Sequence, residues 1–368
     1  MGKYERLFEG DKISKRERVE RTLGLREVDR VALHEQLSYN AGVIALYSGK
    51  TIAGFDYTVD DVCAAIRQTL DICFPPKAPL GVERYTTADG LIYQNDNWTT
   101  WRVNRFEDVE QCRRWLGKRT DVIRKRQFDP HAARQHYRAE MLDLQAKIGE
   151  TVILNYSETG FCSAYDTMGL ELFTFFYEDH ADEMVEFMEV STAAEIERVH
   201  AVADRTLSPV ILLPEDFATK QGPTFSPTFL HRTHYPYVRR LVEAWHEHDV
   251  KVIYHSDGNY RKAIPDLIGC GVDGFYCLEP ACGMDVVELK KTWPKMVWAG
   301  GVDGVDLMER GTPDQVRAEV HRHIRETDAL TTGGMFVASS SEINPPIKPE
   351  NFQAMVEAVG EMTNPSFH

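Results

Sequence analysis

The sequence has no long apolar run and no pair of cysteines two residues apart. No stretch approaches the roughly eighteen uninterrupted apolar residues that a membrane span needs. The charged start, MGKYERLFEGDKISKRERVERTLG, lacks the apolar segment of a secretory signal peptide. The seven cysteines are odd in number, and large intracellular domains rarely need disulfides. We therefore expect a soluble, cytoplasmic protein with free thiols and no membrane partner.

Basic residues are outnumbered by acidic ones. The chain has 42 Lys and Arg against 57 Asp and Glu, for a net charge of −15. Because binding to a nucleic-acid backbone rests on clustered Lys and Arg, this balance argues against a nucleic-acid partner. The one dense basic stretch, residues 113–127, has helix-forming residues and is most simply a solvated helix face.

Short apolar runs alternate with amphipathic stretches, which is the pattern of βαβ units and a parallel sheet. The pattern predicts an α/β protein with a single (β/α)8 TIM barrel domain over residues 1–368, which is within the size range of decorated barrels. Residues 1–29 are predicted to form a helical extension, and residues 76–105 a β-hairpin excursion. We expect this excursion and a broken helix at 224–236 to cover part of the barrel mouth. The predicted strands are 30–35, 70–74, 151–156, 209–214, 251–256, 274–279, 296–301 and 335–339.

Polar residues follow almost every predicted strand. In a parallel barrel, the chemistry takes place where each strand runs into its following loop. About half of such residues are expected to cap helices or to form hydrogen bonds within loops. The acids and histidines are the more informative half. The candidates are His34, Glu35, Tyr156, Glu215, Asp216, His255, Asp257, Glu279, Asp303, Ser341 and Glu342.

One carboxylate and two imidazoles, from Glu215, His234 and His255, form a ligand set that suits zinc with one position left open. Their spacing, E-x18-H-x20-H, is loose enough to arise by chance in a chain with 13 His. A structural histidine bonded to a backbone carbonyl is the alternative for His255. His231 lies three residues before His234 and could replace it on the same helix face. Asp257 is the first substitute if one of the three is not a ligand.

Three stretches between about residues 150 and 360 together resemble the uroporphyrinogen decarboxylase superfamily. YHSDGNYRKAIPDLIGCGVDGFYCLEPACGMDVVELKK resembles its HSxGN strand and loop followed by an EP-x-x-GMD segment. GGMFVASSSEINPPIKPENFQAMVEAV resembles its closing segment. LPEDFATKQGPTFSPTFLHRTHYPYVRRLVEA is similar to its acidic turn, Ser-Pro and broken helix. The resemblance implies a TIM barrel with its site at the carboxyl ends of the strands.

Comparison of the same motifs shows which branch of the superfamily the chain resembles. Decarboxylases carry an arginine-rich RQAGR segment, whereas this chain reads VDRVALHEQLSYNAG, which has no arginine cluster to bind substrate carboxylates. Coenzyme M methyltransferases use a His-x-Cys pair and a distant Cys, where this chain has Asp257 after His255 and then Ser341 or Glu342. The corrinoid-dependent O-demethylases resemble the chain better, since their Glu, Glu and His pattern would match with His234 in place of the second Glu.

The resemblance therefore implies an enzyme that moves a methyl group from a small donor, expected to be an aromatic methyl ether, to the cobalt of a partner corrinoid protein. Zinc is the expected bound metal, and a decarboxylase-like lyase that acts on a carboxylated substrate is the alternative. The sequence leaves the oligomeric state open, with a homodimer as one option. Catalytic roles are expected for Asp257, Glu279, Asp303 and Glu342. Contacts with the donor are expected for Glu35, Tyr156, Phe217, Tyr235 and Ser341, whose aromatic members could equally be core residues.

Overall fold

A computed structural model describes residues 5–367, so the first four residues of the charged start lie outside the described part. Its strands are β1 (Ala32–Glu35), β2 (Ile72–Cys73), β3 (Val82–Thr86), β4 (Ile92–Asp96), β5 (Thr99–Arg102), β6 (Val152–Ile153), β7 (Asn155–Tyr156), β8 (Val210–Pro214), β9 (Ala218–Thr219), β10 (Gly222–Pro223), β11 (Lys251–His255), β12 (Gly274–Tyr276), β13 (Val297–Val302) and β14 (Met335–Ser339).

Its helices are α1 (Lys15–Leu23), α2 (Ala41–Ser48), α3 (Val59–Thr69), α4 (Val109–Lys125), α5 (Pro130–Ile148), α6 (Phe161–Met168), α7 (Leu170–Val202), α8 (Pro227–Thr233), α9 (Tyr235–His246), α10 (Ile264–Gly269), α11 (Val286–Thr292), α12 (Pro313–Glu326), α13 (Ala329–Thr332) and α14 (Pro349–Glu361). A π-helix covers Gly304–Glu309, and 3-10 turns cover Pro280–Cys282 and Pro365–Phe367.

Nine strands form one parallel sheet in the order β6-β2-β1-β14-β13-β12-β11-β8-β7. β6 and β7 are two halves of one barrel strand, because only Leu154 separates them in the chain. β6 pairs with β2, and β7 pairs with β8. The sheet therefore closes into a ring of eight strands. This confirms the predicted (β/α)8 barrel and each of its eight predicted strands.

Side chains on the barrel strands alternate between the interior and the layer under the helices, as the period of two requires. On β11, Ile253 belongs to the interior cluster and Tyr254 to the outer one. His255, two residues after Ile253, therefore points to the interior at the carboxyl end of its strand. On β1, Ala32 is an interior residue, which places His34 on the same side.

Helix α1 closes the amino-terminal end of the barrel. Its residues Val19 and Leu23 pack into the interior cluster. Arg18, on the same helix, donates to Asp71 at 2.8 Å, and Arg30 donates to the other oxygen of Asp71 at 2.7 Å. All three charged groups are fully buried, so this network orders the base of the barrel at the end opposite the loops that carry chemistry.

The predicted excursion at 76–105 contains a three-stranded antiparallel sheet, β3-β4-β5, rather than a two-stranded hairpin. The indole of Trp115 on α4 donates to Asp89 at 2.8 Å and ties this sheet to the helical layer. The predicted broken helix is also present: α8 ends and α9 begins on either side of His234, whose backbone is not helical. Among residues 5–367, no helix is both long enough and apolar enough to cross a membrane.

Candidate active site

A cavity of about 390 Å³ opens at the carboxyl ends of the barrel strands. Its walls are contributed by residues at or just after the ends of β1, β2, β7, β8, β11, β12 and β14, where a barrel concentrates its chemistry. The excursion at 76–105 and the broken helix at 224–236 contribute no residue to these walls. The lining residues are Gln36, Phe74, Tyr156, Leu212, Pro214, Asp216, His255, Asp257, Tyr276, Cys277, Glu279, Ser340, Ser341 and Glu342.

The HSDGN turn after β11 is held in place by the neighbouring loop. The hydroxyl of Ser256 accepts the Phe217 N–H at 3.2 Å. Gly258 has φ +76°, and a Cβ there would lie 2.8 Å from the Ala218 carbonyl oxygen, so only glycine fits this close approach. The Asn259 N–H donates to the Thr219 carbonyl at 2.8 Å. These contacts fix the backbone on both sides of the aspartate that the turn directs into the cavity.

Three potential metal ligands meet in this cavity: a ring nitrogen of His255, a carboxylate oxygen of Asp257 and the sulfur of Cys277. These atoms all lie within 4.8 Å of one another, and residues 5–367 contain no other such group of three His, Cys, Asp or Glu side chains. His255 Nε2 is 3.9 Å from Asp257 Oδ1, and Cys277 Sγ is 3.0 Å from the same oxygen. Nitrogen, oxygen and sulfur together form a donor set that suits zinc.

The backbone at Cys277 is unusual. Its φ is +66°, a left-handed conformation that residues other than glycine rarely adopt. The thiol is buried, and its sulfur lies 3.0 Å from both Asp257 Oδ1 and the Ser340 carbonyl oxygen, the two acceptors available to its single proton. Burial, followed by the nearby Asp257 carboxylate, raises the pKa of Cys277 well above its ordinary value. The sulfur is therefore a thiol in the protein alone, and a metal cation would be needed to make it a thiolate.

Asp216 sets the electrostatics of His255. Asp216 Oδ1 lies 3.3 Å from His255 Nδ1 and accepts the Asp257 N–H at 2.8 Å. The Nδ1 contact is an ion pair at short distance without the direction of a good hydrogen bond. Burial by itself lowers the pKa of His255, but Asp216 and then Asp257 outweigh it, and the net pKa is raised. The carboxylate thus favours positive charge on this ring.

His34 lies beside the cavity, in the barrel interior. Its ring packs at 4.7 Å from the ring of Tyr276 and at 5.3 Å from that of Phe74, and both of these rings line the cavity. The side chain is 2% exposed, and neither ring nitrogen has a hydrogen-bond partner among the described residues. Burial, together with the charge on His255, lowers the pKa of His34 to about 3. His34 is therefore a neutral imidazole in contact with two walls of the cavity.

The structure brings half of the predicted site residues to this cavity and places the others elsewhere. His255, Asp257, Glu279, Glu342, Tyr156 and Ser341 line it. Glu35, Glu215, His234, Phe217, Tyr235 and Asp303 do not.

The predicted ligands Glu215 and His234 do not meet His255. The carboxylate of Glu215 accepts the backbone N–H groups of Thr159 at 2.8 Å and Cys162 at 2.9 Å, at the start of α6. The Cys162 N–H is one of the unpaired first-turn donors of α6, whose N-cap residue is a glycine, so Glu215 acts as its cap. Burial raises the pKa of Glu215 to about 7.

His234 is fully buried in the outer layer, where its Nε2 lies 2.8 Å from the Tyr254 hydroxyl. Burial lowers its pKa to about 3. The alternative His231 is 59% exposed and lies 3.5 Å from Asp266. Neither histidine belongs to the ligand group in the cavity.

The other predicted residues that lie outside the cavity have structural contacts. Glu35 is buried between β1 and β14, where it accepts a hydrogen bond from the Ser339 hydroxyl at 3.1 Å. Phe217 and Tyr235 are core residues of the outer cluster. Asp303 caps the π-helix by accepting the Val305 and Asp306 N–H groups. These placements match the capping and packing alternatives that the sequence left open.

A family model and one solved structure agree with this fold. The family model described as Uroporphyrinogen decarboxylase (URO-D) matches residues 157–362. A solved structure described as a methyltransferase from Methanosarcina mazei has a TM-score of 0.63 and 16% identity, over 94% of this chain and 98% of that chain. A xylose isomerase-like TIM barrel protein from Mycobacterium smegmatis in complex with magnesium gives a TM-score of only 0.36 and 11% identity, over 69% of this chain and 89% of that chain.

No curated protein matches the sequence significantly. The likeness to the Methanosarcina mazei structure, at this identity, concerns the fold. The family model covers more than half of the chain and includes the HSDGN turn that carries two of the three clustered ligands. The chain therefore belongs to the uroporphyrinogen decarboxylase family.

Proposed function

We propose that this protein is a methyltransferase that moves a methyl group from a small methylated donor, an aromatic methyl ether, to the cobalt of a partner corrinoid protein. The observation that carries the proposal is the group of His255, Asp257 and Cys277 in a cavity at the barrel mouth. Family membership and a fold shared with a protein described as a methyltransferase support it.

The residues present fit a zinc ion. His255, Asp257 and Cys277 would supply three protein ligands, which leaves the fourth position of a tetrahedral ion open for substrate, as in catalytic zinc sites. We assign Asp257 and Cys277 beside His255, instead of Glu215 and His234, because those two residues are engaged at α6 and at Tyr254. Zinc bound there would act as a Lewis acid on the ether oxygen, whose phenolate is a poor leaving group.

The chain's own residues bind and orient the donor. Phe74, Tyr156 and Tyr276 present aromatic side chains to the cavity, which suits a flat ring. When the methyl carbon is transferred, its bond to oxygen breaks and the electron pair stays on the oxygen, which later takes up a proton. Glu279, whose carboxylate accepts the Gly258 N–H at 2.6 Å, is positioned in the wall to pass a proton from solvent to that oxygen.

The cavity is accessible to a partner protein. Tyr156 is 46% exposed at its edge, and the side chain of Asp257 is 63% exposed. A corrinoid protein would have to approach this face, because the donor methyl group would lie inside it. The alternative lyase activity is less well supported. No Lys or Arg lines the cavity within the described chain, so the carboxylates of such a substrate would have no counter-charge.

The experiment that tests this proposal combines metal analysis with a methyl-transfer assay. Protein purified without chelator is expected to contain one zinc per chain and to methylate a cob(I)alamin acceptor with methoxylated aromatics as donors. His255→Ala and Cys277→Ser are expected to lose both properties. Cys282→Ser, which changes a thiol five residues away that does not line the cavity, is the matched control for metal content. Full zinc content in both site variants would contradict the assigned site.

A further inference from the structure

The cavity at the barrel mouth is strongly acidic. Four carboxylates line it, from Asp216, Asp257, Glu279 and Glu342, and none of its described lining residues is Lys or Arg. The two positive charges of a bound zinc ion would be balanced by its ligands Asp257 and Cys277, and His255 would then be a neutral ligand. Asp216, Glu279 and Glu342 would still leave three negative charges on the wall. An anionic ligand would therefore enter this cavity against like charge.

Glu342 is free to receive a ligand. Its half-buried carboxylate makes no hydrogen bond and no ion pair with other residues in the 5–367 range. Glu279 differs, because its two oxygens accept the Gly258 N–H at 2.6 Å and the Cys282 S–H at 3.3 Å. A carboxylate without a partner accepts hydrogen bonds from hydroxyl groups and repels other carboxylates.

Three arginines in an adjoining cavity offer no compensation for an anion. That cavity has a volume of about 540 Å³ and shares only Tyr156 with the first one. Each arginine is already paired with a carboxylate within the described structure. The pairs are Arg198 with Glu195 at 2.6 Å, Arg126 with Glu197 at 2.6 Å and Arg119 with Asp89 at 3.6 Å.

The same cavity has the walls that an aromatic ring needs. Phe74, Tyr156 and Tyr276 line it, and the neutral ring of His34 packs against two of them. Aromatic side chains gain contact energy from a flat ring whatever its charge. Different residues would thus bind the ring and select its charge. The aromatic side chains would contact the ring, and the carboxylates would select against negatively charged ring substituents.

We propose that the methyl donor is an uncharged methoxylated phenol and that methoxybenzoates are rejected, with the donor's hydroxyl donating a hydrogen bond to Glu342. This inference rests on the proposed function, because it assigns the donor of that reaction. The three elements that carry it are the acidic wall, the unpartnered Glu342 carboxylate and the paired state of the neighbouring arginines.

Binding to the zinc-loaded protein tests the proposal without relying on turnover. Isothermal titration at pH 7.5 would compare 2-methoxyphenol, 3-methoxybenzamide and 3-methoxybenzoate, of which the last two have nearly the same shape and differ in charge. We expect the benzoate to bind at least tenfold more weakly than the amide, with the gap narrowing as salt is raised. Equal or tighter binding of the benzoate, or no binding of either neutral compound, would overturn the proposal.

Glu342→Lys provides the second test. Because the Glu342 carboxylate has no partner to lose, the variant should fold normally. It should tighten binding of 3-methoxybenzoate at least tenfold and weaken binding of 2-methoxyphenol. Asp306→Asn removes an exposed carboxylate on the same rim that does not line the cavity, and it should change neither value. An unchanged preference in Glu342→Lys would contradict the role assigned to Glu342.

The two proposals fail in different ways. If the neutral compounds bind with the expected preference but their methyl groups are never transferred to cobalamin, the proposed function fails and the charge selection stands. If methyl transfer proceeds equally well from methoxybenzoates and methoxyphenols, the function stands and the charge selection fails.

Discussion

Asp216→Asn tests how Asp216 supports His255 in its proposed role as a metal ligand. The substitution keeps an oxygen that can accept the Asp257 N–H and removes the negative charge 3.3 Å from His255 Nδ1. Carboxylates next to a metal-bound histidine orient the ring and make it a better ligand. The variant should therefore bind zinc more weakly without losing the geometry of the HSDGN turn.

The expected loss of zinc affinity follows from the distance between the two charged groups and from the exposure of the Asp216 side chain. Two unit charges 3.3 Å apart interact by about 1 kcal/mol in water-like surroundings and by about 5 kcal/mol at an effective dielectric constant of 20. The Asp216 side chain is 46% exposed, so the lower end of this range applies. We expect zinc affinity to fall about tenfold, which corresponds to about 1.4 kcal/mol and is the lower end of the known effect of such supporting groups.

Competition with a chromogenic chelator at pH 8 measures the zinc affinity. NMR titration of the metal-free protein should show a lower pKa for His255 in the variant, since Asp216 raises it in the wild type. Asp303→Asn is the control, because Asp303 caps the π-helix after β13 and does not line the cavity. A lowered pKa of His255 with unchanged zinc affinity would refute the reasoning, because the charge would then reach the ring without supporting a metal.

Three further predictions concern other parts of the chain. Asp71→Asn should cost about 3–5 kcal/mol in urea unfolding at pH 7, because it leaves two buried guanidinium groups short of a carboxylate; a loss below 1 kcal/mol would contradict this. Burial raises the pKa of Glu35 to about 8 from an ordinary value near 4.5. Between these two pH values, the folded protein keeps a proton on Glu35 that the unfolded chain releases. The stability of the wild type relative to Glu35→Gln should therefore fall between pH 5 and pH 8 by at least about 1.4 kcal/mol, because the opposite contributions of the buried His34 and His234 cancel in this comparison. Glu279→Ala should reduce turnover more than thermal stability, whereas Asp303→Ala should lower stability by about 0.5–2 kcal/mol and leave specific activity unchanged.

The barrel could be predicted because its signal is local and repeated. Each strand is a short apolar run followed by a helical stretch, and even β1 and the two-residue β2 lie within predicted runs. Closure depends on a contact between distant strands, through the two halves of the segment at 152–156. That pairing is not visible in composition, but the count of eight strands implies it. That residues 1–368 form one domain stays a prediction.

The candidate site was harder to predict because consecutive residues at a strand end face opposite sides of the barrel sheet. Sequence reasoning favoured Glu35 and Glu215, but the structure places His34 beside the cavity and Asp216 in its wall. The alternation of side chains along a strand could have shown which residue of each pair faces the barrel interior. Ala32 is an interior residue, which puts His34 inside, and Leu212 is an interior residue, which puts Asp216 inside. In both pairs the glutamate is the residue that lies outside the cavity.

Cys277 does not follow this alternation of side chains, and the reason bears on its proposed function. Tyr276 and Cys277 both belong to the interior cluster, although consecutive strand residues should face opposite sides. The left-handed backbone at Cys277 turns its sulfur back toward Asp257, at a cost of about 1–2 kcal/mol for a residue that is not glycine. Glycine would relieve this cost but would carry no sulfur. We propose that the fold retains this conformation because it places a third potential ligand atom beside His255 and Asp257.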